Sequence, residues 1–378
     1  MRNRNTFHFS RAGRSASALV VLTVGALVAG CTSGTGGDDA ERLEATAPEL
    51  EGSPAIQYTG SLDGPDGDGP AGEGPVEVDI EVTNTGEAMG TLTAPDGEEF
   101  DYLAMDGDEF VWSESGSWGS LGIEVEDPGM YEGMPLMLPA DALGLNLSDV
   151  LAPPAVAARI EEALSNGDAS VGDTVDVDGR SAVPVTVEDA TYYLAEDDSD
   201  GLSLLRIEFG EAAAFGAGVF LLLPIARERG EKFYYDFREK LETVENAADP
   251  KIHVATKELR NPNVCSPTAC TFVLRVTITY LGSASNADGA AIVEYTFDVT
   301  RDGVQVDSSG CAGSVTIGYN KSADLTCNAT APNPPAGNRT FEFLADPHLT
   351  VIVLDEEEYR DYLQKEADNR EKVFAMYD

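Results

Sequence analysis

The sequence predicts an α+β chain: an antiparallel β domain with helical insertions, then an all-β domain, then a terminal helix. Three observations predict it. From residue 55 onward, short segments of alternating apolar and polar residues recur between Asn-x-Gly and Asp-Gly turns, the period-two pattern of half-buried strands. Two segments, 155–165 and 231–247, instead space their apolar residues at three and four, which places them on one face of a helix. After Asp249-Pro250 the helical spacing stops and short strands follow at regular intervals.

The N-terminus comes first. Arg2, Arg4, Arg11 and Arg14 precede any acidic residue, and an apolar run over 16–29 follows, shorter than the ~20 residues that cross a bilayer. It ends in Val28-Ala29-Gly30-Cys31. These four residues resemble the lipobox of bacterial lipoproteins. The resemblance implies a signal peptide over 1–30, cleavage before Cys31 and a diacylglyceryl thioether on Cys31. It also implies a chain held by lipid to the extracytoplasmic face of the cell membrane. Residues 31–53 are mostly Gly, Ser, Thr, Asp and Glu, and read as a flexible tether.

The first domain is expected over 54–249. Residues 56–62, 76–82 and 90–93 alternate, and Asn84-Thr-Gly86, Asp96-Gly97 and Asp106-Gly107 turn the chain between them and the next strands. Residues 62–75 are a Gly, Pro and Asp loop. Beyond Trp112 the pattern gives way to loops carrying Trp118, Leu136, Leu138, Leu147 and Leu151. Pro153-Pro154 then opens a helix with Val156, Ile160 and Leu164 on one face. Strands resume at 174–177, 182–187, 191–195 and 202–209. The apolar run 212–223 is too short to span a membrane and reads as a buried packing segment, and 231–247 as an amphipathic helix. A sheet with one apolar face must be covered, and the helix 155–165, the run 134–151 and the segment 212–247 are the expected cover. Incomplete interdigitation there leaves an apolar pocket; Trp112, Leu136, Leu138, Leu147, Leu151, Ile160 and Leu164 are its candidate lining, with filling of the core as the competing role.

From 250 to 354, about seven strands in ~100 residues suggest a β-sandwich of immunoglobulin or fibronectin type. Residues 355–378 read as a charged terminal helix.

Composition narrows the function. A formal charge of −43 excludes nucleic acid as a partner bound by charge. Of the five cysteines, the four beyond Cys31 make an even number, as disulfides in an oxidising compartment require. Cys311 and Cys327 lie symmetrically about Tyr319 and are expected to face each other across a hairpin, which leaves Cys265 to pair with Cys270. Zinc is the competing role, but the spacing is not that of paired C-x-x-C knuckles and no histidine accompanies it. His8, His253 and His348 are the only histidines, and none lies in a nucleophile context; no G-x-S-x-G elbow is present. Asp63, Asp66 and Asp68 lack the EF-hand order, with Pro70 where an oxygen ligand is needed. No enzyme activity, cofactor or metal is expected.

With the strands in order, residues 55–247 resemble the LppX/LprG-like and LolA/LolB-like lipoproteins of bacterial envelopes. The resemblance rests on Ile56-Gln-Tyr-Thr-Gly60, Gly90-Thr-Leu92, Asp96-Gly97, Tyr102-Leu103, Asp106-Gly107, Val177-Asp-Gly-Arg180, Val183-Pro-Val-Thr-Val187 and Thr191-Tyr-Tyr193. It implies a half-open antiparallel β-barrel whose hollow, closed by helices, binds acyl chains, with lipid, lipoglycan or lipoprotein as cargo. The alternative function is that of a non-catalytic surface lipoprotein, whose sandwich binds an envelope protein or polymer.

Overall fold

Strict alternation builds the first strands. In β2 (Val76–Thr83), Val76, Val78, Ile80 and Val82 are buried while Glu77 and Asp79 face solvent. The strands β1 (Ala55–Leu62), β3 (Ala88–Thr93), β4 (Glu99–Met105) and β5 (Asp108–Trp112) join it in an antiparallel meander that ends at β6 (Leu136–Met137), with β4 and β5 burying residues on both faces. The computed structural model describes residues 36–63, 74–123, 125, 131, 133–138, 143, 146–196, 202–210, 217–258, 265–281, 289–331, 342–352, 354 and 356–378. The signal segment, Cys31, the centre of the 62–75 loop and residues 212–216 lie outside them.

The chain then passes through two helices, α2 (Leu147–Leu151) and α3 (Pro153–Asn166), and re-enters the sheet at its far end. There β7 (Ser170–Val171) and β8 (Val175–Val177) both pair with β9 (Arg180–Val187). The strands β10 (Ala190–Ala195), β11 (Leu204–Phe209) and β12 (Gly218–Pro224) complete an open 12-stranded sheet, in the order β6-β5-β4-β3-β2-β1-β12-β11-β10-β9-β7. Its first and last strands pair at the centre, Ile56 opposite Pro224 and Leu62 opposite Gly218. The apolar run that reads as a packing segment is thus a central strand. Burial along it does alternate although the sequence does not: Phe220 and Leu222 enter the main core, while Val219 and Leu221 are half-buried on the other face, where Leu221 packs against a second cluster of Val177, Ala182, Ala195 and Leu205.

Two further expectations are corrected. The flexible tether over 31–53 is, from Gly36 to Glu51, a helix, α1, which packs on α3, β9 and β10. Leu43, Ala47 and Leu50 repeat at helical spacing and are buried in the main core. Arg42 donates to the Ala195 carbonyl and Glu49 accepts from Ser203, which closes the polar edge. The helix expected over 231–247 is α4 (Arg227–Leu241), followed by a 3-10 turn at Val244–Asn246. It lies on the face opposite α1 and α3: Phe233, Tyr234 and Phe237 pack with Leu103, Met105 and Phe110, residues one step out of phase with the inward-facing Phe100, Tyr102 and Val111.

Beyond Asp249-Pro250, β13 (Ile252–Glu258), β14 (Ala269–Tyr280) and β18 (Lys321–Thr330) form a three-stranded antiparallel sheet. In a second sheet, β15 (Ala290–Arg301) pairs with β16 (Val304–Gln305), β17 (Ala312–Gly318) and β19 (Phe343–Ile352). One apolar core takes Val276 and Ile278 from the first sheet and Val293 and Val299 from the second. The terminal helix α5 (Glu356–Met376) returns to the large sheet beside α4. Tyr362 donates to Asp108, Asn369 donates to the buried Glu87, and Lys365 pairs with Asp106.

Both disulfides join the expected partners, Cys265 with Cys270 and Cys311 with Cys327. The hairpin expected to align the second pair is absent: β17 pairs with β15 and β18 with β14, so the turn at Tyr319-Asn320 passes between sheets. The bond therefore ties one sheet to the other through their common core, where both cysteines are fully buried. Closing a loop of about this length stabilises a domain by ~3 kcal/mol. Replacing both cysteines by serine is expected to lower the stability of the C-terminal sheets by that order, read as an earlier urea transition in far-UV circular dichroism.

Candidate functional site

The candidate site is the inner face of the large sheet, under α1, α2, α3 and the side chains of Trp118, Leu121, Ile123, Leu136 and Leu138. Alternation along β1 to β5 directs Tyr58, Val78, Ile80, Phe100, Tyr102 and Val111 to this face, and the returning strands add Tyr192, Ile207, Phe209 and Phe220. Aromatic rings meet edge-on across it: Tyr58 and Phe220 have centroids 6.4 Å apart, and Phe209 and Phe220 6.2 Å. Two positions on this face carry no side chain. A Cβ at Gly60 would lie 1.7 Å from the Val219 carbonyl oxygen, and one at Gly90 2.1 Å from that of Asp79. The backbone of the neighbouring strand occupies the space a side chain would need, so only glycine allows this close approach of the strands.

Three polar atoms sit in this apolar interior without a hydrogen-bond partner among the described residues: the Tyr58 hydroxyl, the Trp118 indole nitrogen and the Tyr192 hydroxyl. Buried polar groups are paired in more than about nine cases in ten, so three on one face is a concentration. Burial pushes the Tyr58 phenol far above its ordinary range. Burial likewise raises Tyr192 to about 12, against the opposing charge of Arg159. Trp118 packs at a tilt on Phe100, with centroids 6.1 Å apart.

A buried carboxyl fastens the cover to the sheet. Glu109, on β5, accepts from the Tyr102 hydroxyl and, at 2.8 Å, from the backbone N–H of Leu147, the first residue of α2. Its own carbonyl accepts from Leu138 N–H at 2.7 Å. Burial raises the Glu109 carboxyl to about 7, although both hydrogen bonds oppose the shift. A folded-state value above the unfolded one means that the native state binds the extra proton between them. The contribution of Glu109 to stability is therefore greatest below about pH 4.5 and falls as the pH rises to about 7, by roughly 3 kcal/mol in all. The Glu109→Gln variant is expected to lose this slope. The difference in urea midpoint between variant and wild type should grow from pH 5 to pH 8; a constant difference contradicts the assignment.

The structure places five of the seven candidate lining residues together. Leu136, Leu138, Leu147, Leu151 and Ile160 are buried in the one inner core, and Leu164 packs against it half-exposed. Trp112 is not among them. It follows Val111 by one residue and so points to the opposite face, where the Lys240 ammonium lies 4.6 Å from its ring centroid. Tyr58, Tyr192 and Glu109 are the inner-face residues that sequence reasoning missed. Alternation with Ile56 and Val111 was the available signal, but an alternating pattern does not reveal that a hydroxyl goes unpaired. His348 lies on β19, 3.1 Å from Asp298 on an exposed face, and His253 on β13, both in the C-terminal sheets. Among the described residues, no group of three His, Cys, Asp or Glu is placed to hold a metal ion, and no helix is long and apolar enough to cross a membrane. No family model and no curated protein matches the chain.

Proposed function

We propose that this chain is a non-catalytic lipoprotein, anchored through Cys31 to the extracytoplasmic face of the cell membrane, that holds an acyl-bearing ligand against the inner face of its large sheet. The ligand class is lipid, lipoglycan or the acyl chains of another lipoprotein. In this reading the large sheet is a half-open barrel of the LppX/LprG-like and LolA/LolB-like kind, with Gly60 and Gly90 where neighbouring strands approach most closely. The C-terminal sheets are an immunoglobulin-like sandwich.

The observation that carries the reading is the set of unpaired polar atoms on Tyr58, Trp118 and Tyr192 inside an otherwise apolar interior. An amphiphile entering there supplies both the apolar contact and the missing acceptors or donors. Native mass spectrometry of the chain purified from a bacterial envelope tests it. Copurified phospholipid or glycolipid is expected; repeated recovery of an empty chain overturns it. That second outcome favours the other reading, a solid scaffold that presents the C-terminal sheets to an envelope protein or polymer. The complete burial of Leu136, Leu147, Leu151 and Ile160 by the protein's own side chains favours it too.

A further inference from the structure

The charge of the protein is unevenly spread. Helices α4 and α5 together hold nine Lys and Arg against eleven Asp and Glu, close to neutral in a chain at −43. Beside them is an open groove of about 720 Å³, and three of its lining residues are arginines: Arg238 from α4, Arg360 and Arg370 from α5. Leu363 and Ala367 give it an apolar floor, Gln364 adds an amide, and Asp361 is its one acidic lining residue.

Two of the arginines are held from beneath. Glu366 is fully buried, with Arg238 3.0 Å from one carboxylate oxygen and Arg370 3.2 Å from the other. The second contact is an ion pair without hydrogen-bond alignment, since that oxygen takes no hydrogen bond. Arg238 also donates to the Leu363 carbonyl at 3.1 Å, which fixes the guanidinium across the floor. These contacts use Nε and Nη1 of Arg238 and only Nη1 of Arg370, so each fork retains N–H donors. The remaining partners are exposed: Glu242 on Arg238 and Glu356 on Arg360, with side chains 57% and 80% accessible. Ion pairs of that kind contribute about 0–1 kcal/mol and exchange readily for a better anion.

We propose that the groove between α4 and α5 binds the phosphate group of an organic phosphate. Guanidinium forks match phosphate oxygens in bidentate geometry, which favours phosphate over a lone carboxylate where several arginines converge. The groove is much larger than one phosphate ion, and its Leu363 and Ala367 floor accommodates the carbon skeleton attached to it. The distant acidic residues of the chain do not forbid this, since at physiological ionic strength charges more than ~8 Å away are largely screened. Nearby, Glu366 stays bound beneath Arg238 and Arg370, and an arriving phosphate must take the place of the exposed Glu242 and Glu356 carboxylates.

The test uses the full chain with Cys31→Ser, which removes any acyl anchor, in isothermal calorimetry near physiological ionic strength. The probes are inorganic phosphate and a short-chain phosphatidylglycerol below its micelle concentration. Arg360→Gln is the informative variant, because Arg360 is exposed and pairs only with exposed Glu356 among the described residues. It is expected to weaken phosphate binding on the order of tenfold, with the circular dichroism spectrum and melting temperature unchanged. Binding of both probes, each weakened by the variant, supports a site for the phosphate itself. Binding of the lipid alone, weakened by the variant, supports a headgroup site. No binding of either probe at millimolar concentration, or binding that Arg360→Gln leaves unchanged, overturns the proposal. An acyl ligand on the inner face would survive this variant, so the two sites fail independently.

Discussion

Replacing Gly60 by alanine is expected to cost about 3 kcal/mol or more, and replacing it by valine to prevent native pairing of β1 with β12. An alanine Cβ at this position falls 1.7 Å from the Val219 carbonyl oxygen and 3.0 Å from the Phe220 Cα, both backbone atoms of the partner strand. No rotamer change relieves a contact with backbone, so the two central strands must separate. Each side of the joint is long: β1 pairs with β12 from Ile56 to Leu62 and with β2 from Ala55 to Leu62. A displacement of β1 is therefore carried into both halves of the sheet. Gly90→Ala meets the Asp79 carbonyl oxygen at 2.1 Å and is expected to behave alike. The control is Gly119→Ala, where a Cβ meets nothing within 4 Å and the expected change is within ~0.5 kcal/mol. Urea unfolding followed by tryptophan fluorescence is well suited, because both tryptophans, Trp112 and Trp118, belong to the large-sheet region. A Gly60→Ala midpoint close to that of Gly119→Ala would refute the steric argument.

The mixed α+β class, the antiparallel strands and the terminal helix were legible because their signal is local. The alternation in Val76-Glu-Val-Asp-Ile-Glu-Val82 states both the strand and its inward face. What was not legible was partnership. The run ending in Val219-Phe-Leu-Leu222 lacks alternation because the outer face of β12 also carries apolar side chains, half-buried at Val219 and Leu221, and nothing local separates such a strand from a packing segment. Cys311 and Cys327 were paired correctly by symmetry, yet the hairpin supposed to align them divides between two sheets; a tight turn does not say whether its arms stay together. Trp112 was misplaced for a simpler reason. The alternation of Phe110, Val111 and Trp112 already puts the first and last on one face, away from Val111. Tyr58 and Tyr192 escaped notice because tyrosine in a strand is ordinary. Only the three-dimensional packing shows their hydroxyls left without partners.

The segment expected to be a tether supplies the second large effect. Leu43→Ala and Leu50→Ala are each expected to cost about 2–5 kcal/mol, the range for emptying a core position, whereas a true tether tolerates either change. Both side chains are fully buried among inner-face residues, although they stand in a helix whose sequence, Gly-Gly-Asp-Asp-Ala-Glu-Arg-Leu-Glu, has the composition of a linker. The apolar stripe at 43, 47 and 50 was the available signal, outweighed by the acids around it. Leu43 and Leu50 are seven residues apart, about 10 Å along the helix axis, so their effects should add. The double variant then loses an amount comparable with the ~5–15 kcal/mol that stabilises a domain, and the large sheet should be substantially unfolded at ambient temperature. Glu44→Ala, on the exposed side of the same helix, is the matched control and should change stability by under ~0.5 kcal/mol. If all three variants unfold with the wild type, α1 contributes nothing and the flexible tether is restored. If the leucine variants fail as expected, α1 belongs to the cover of the inner face. Between Cys31 and Gly36 there then remain only Thr32 to Thr35, far less chain than the tether first inferred.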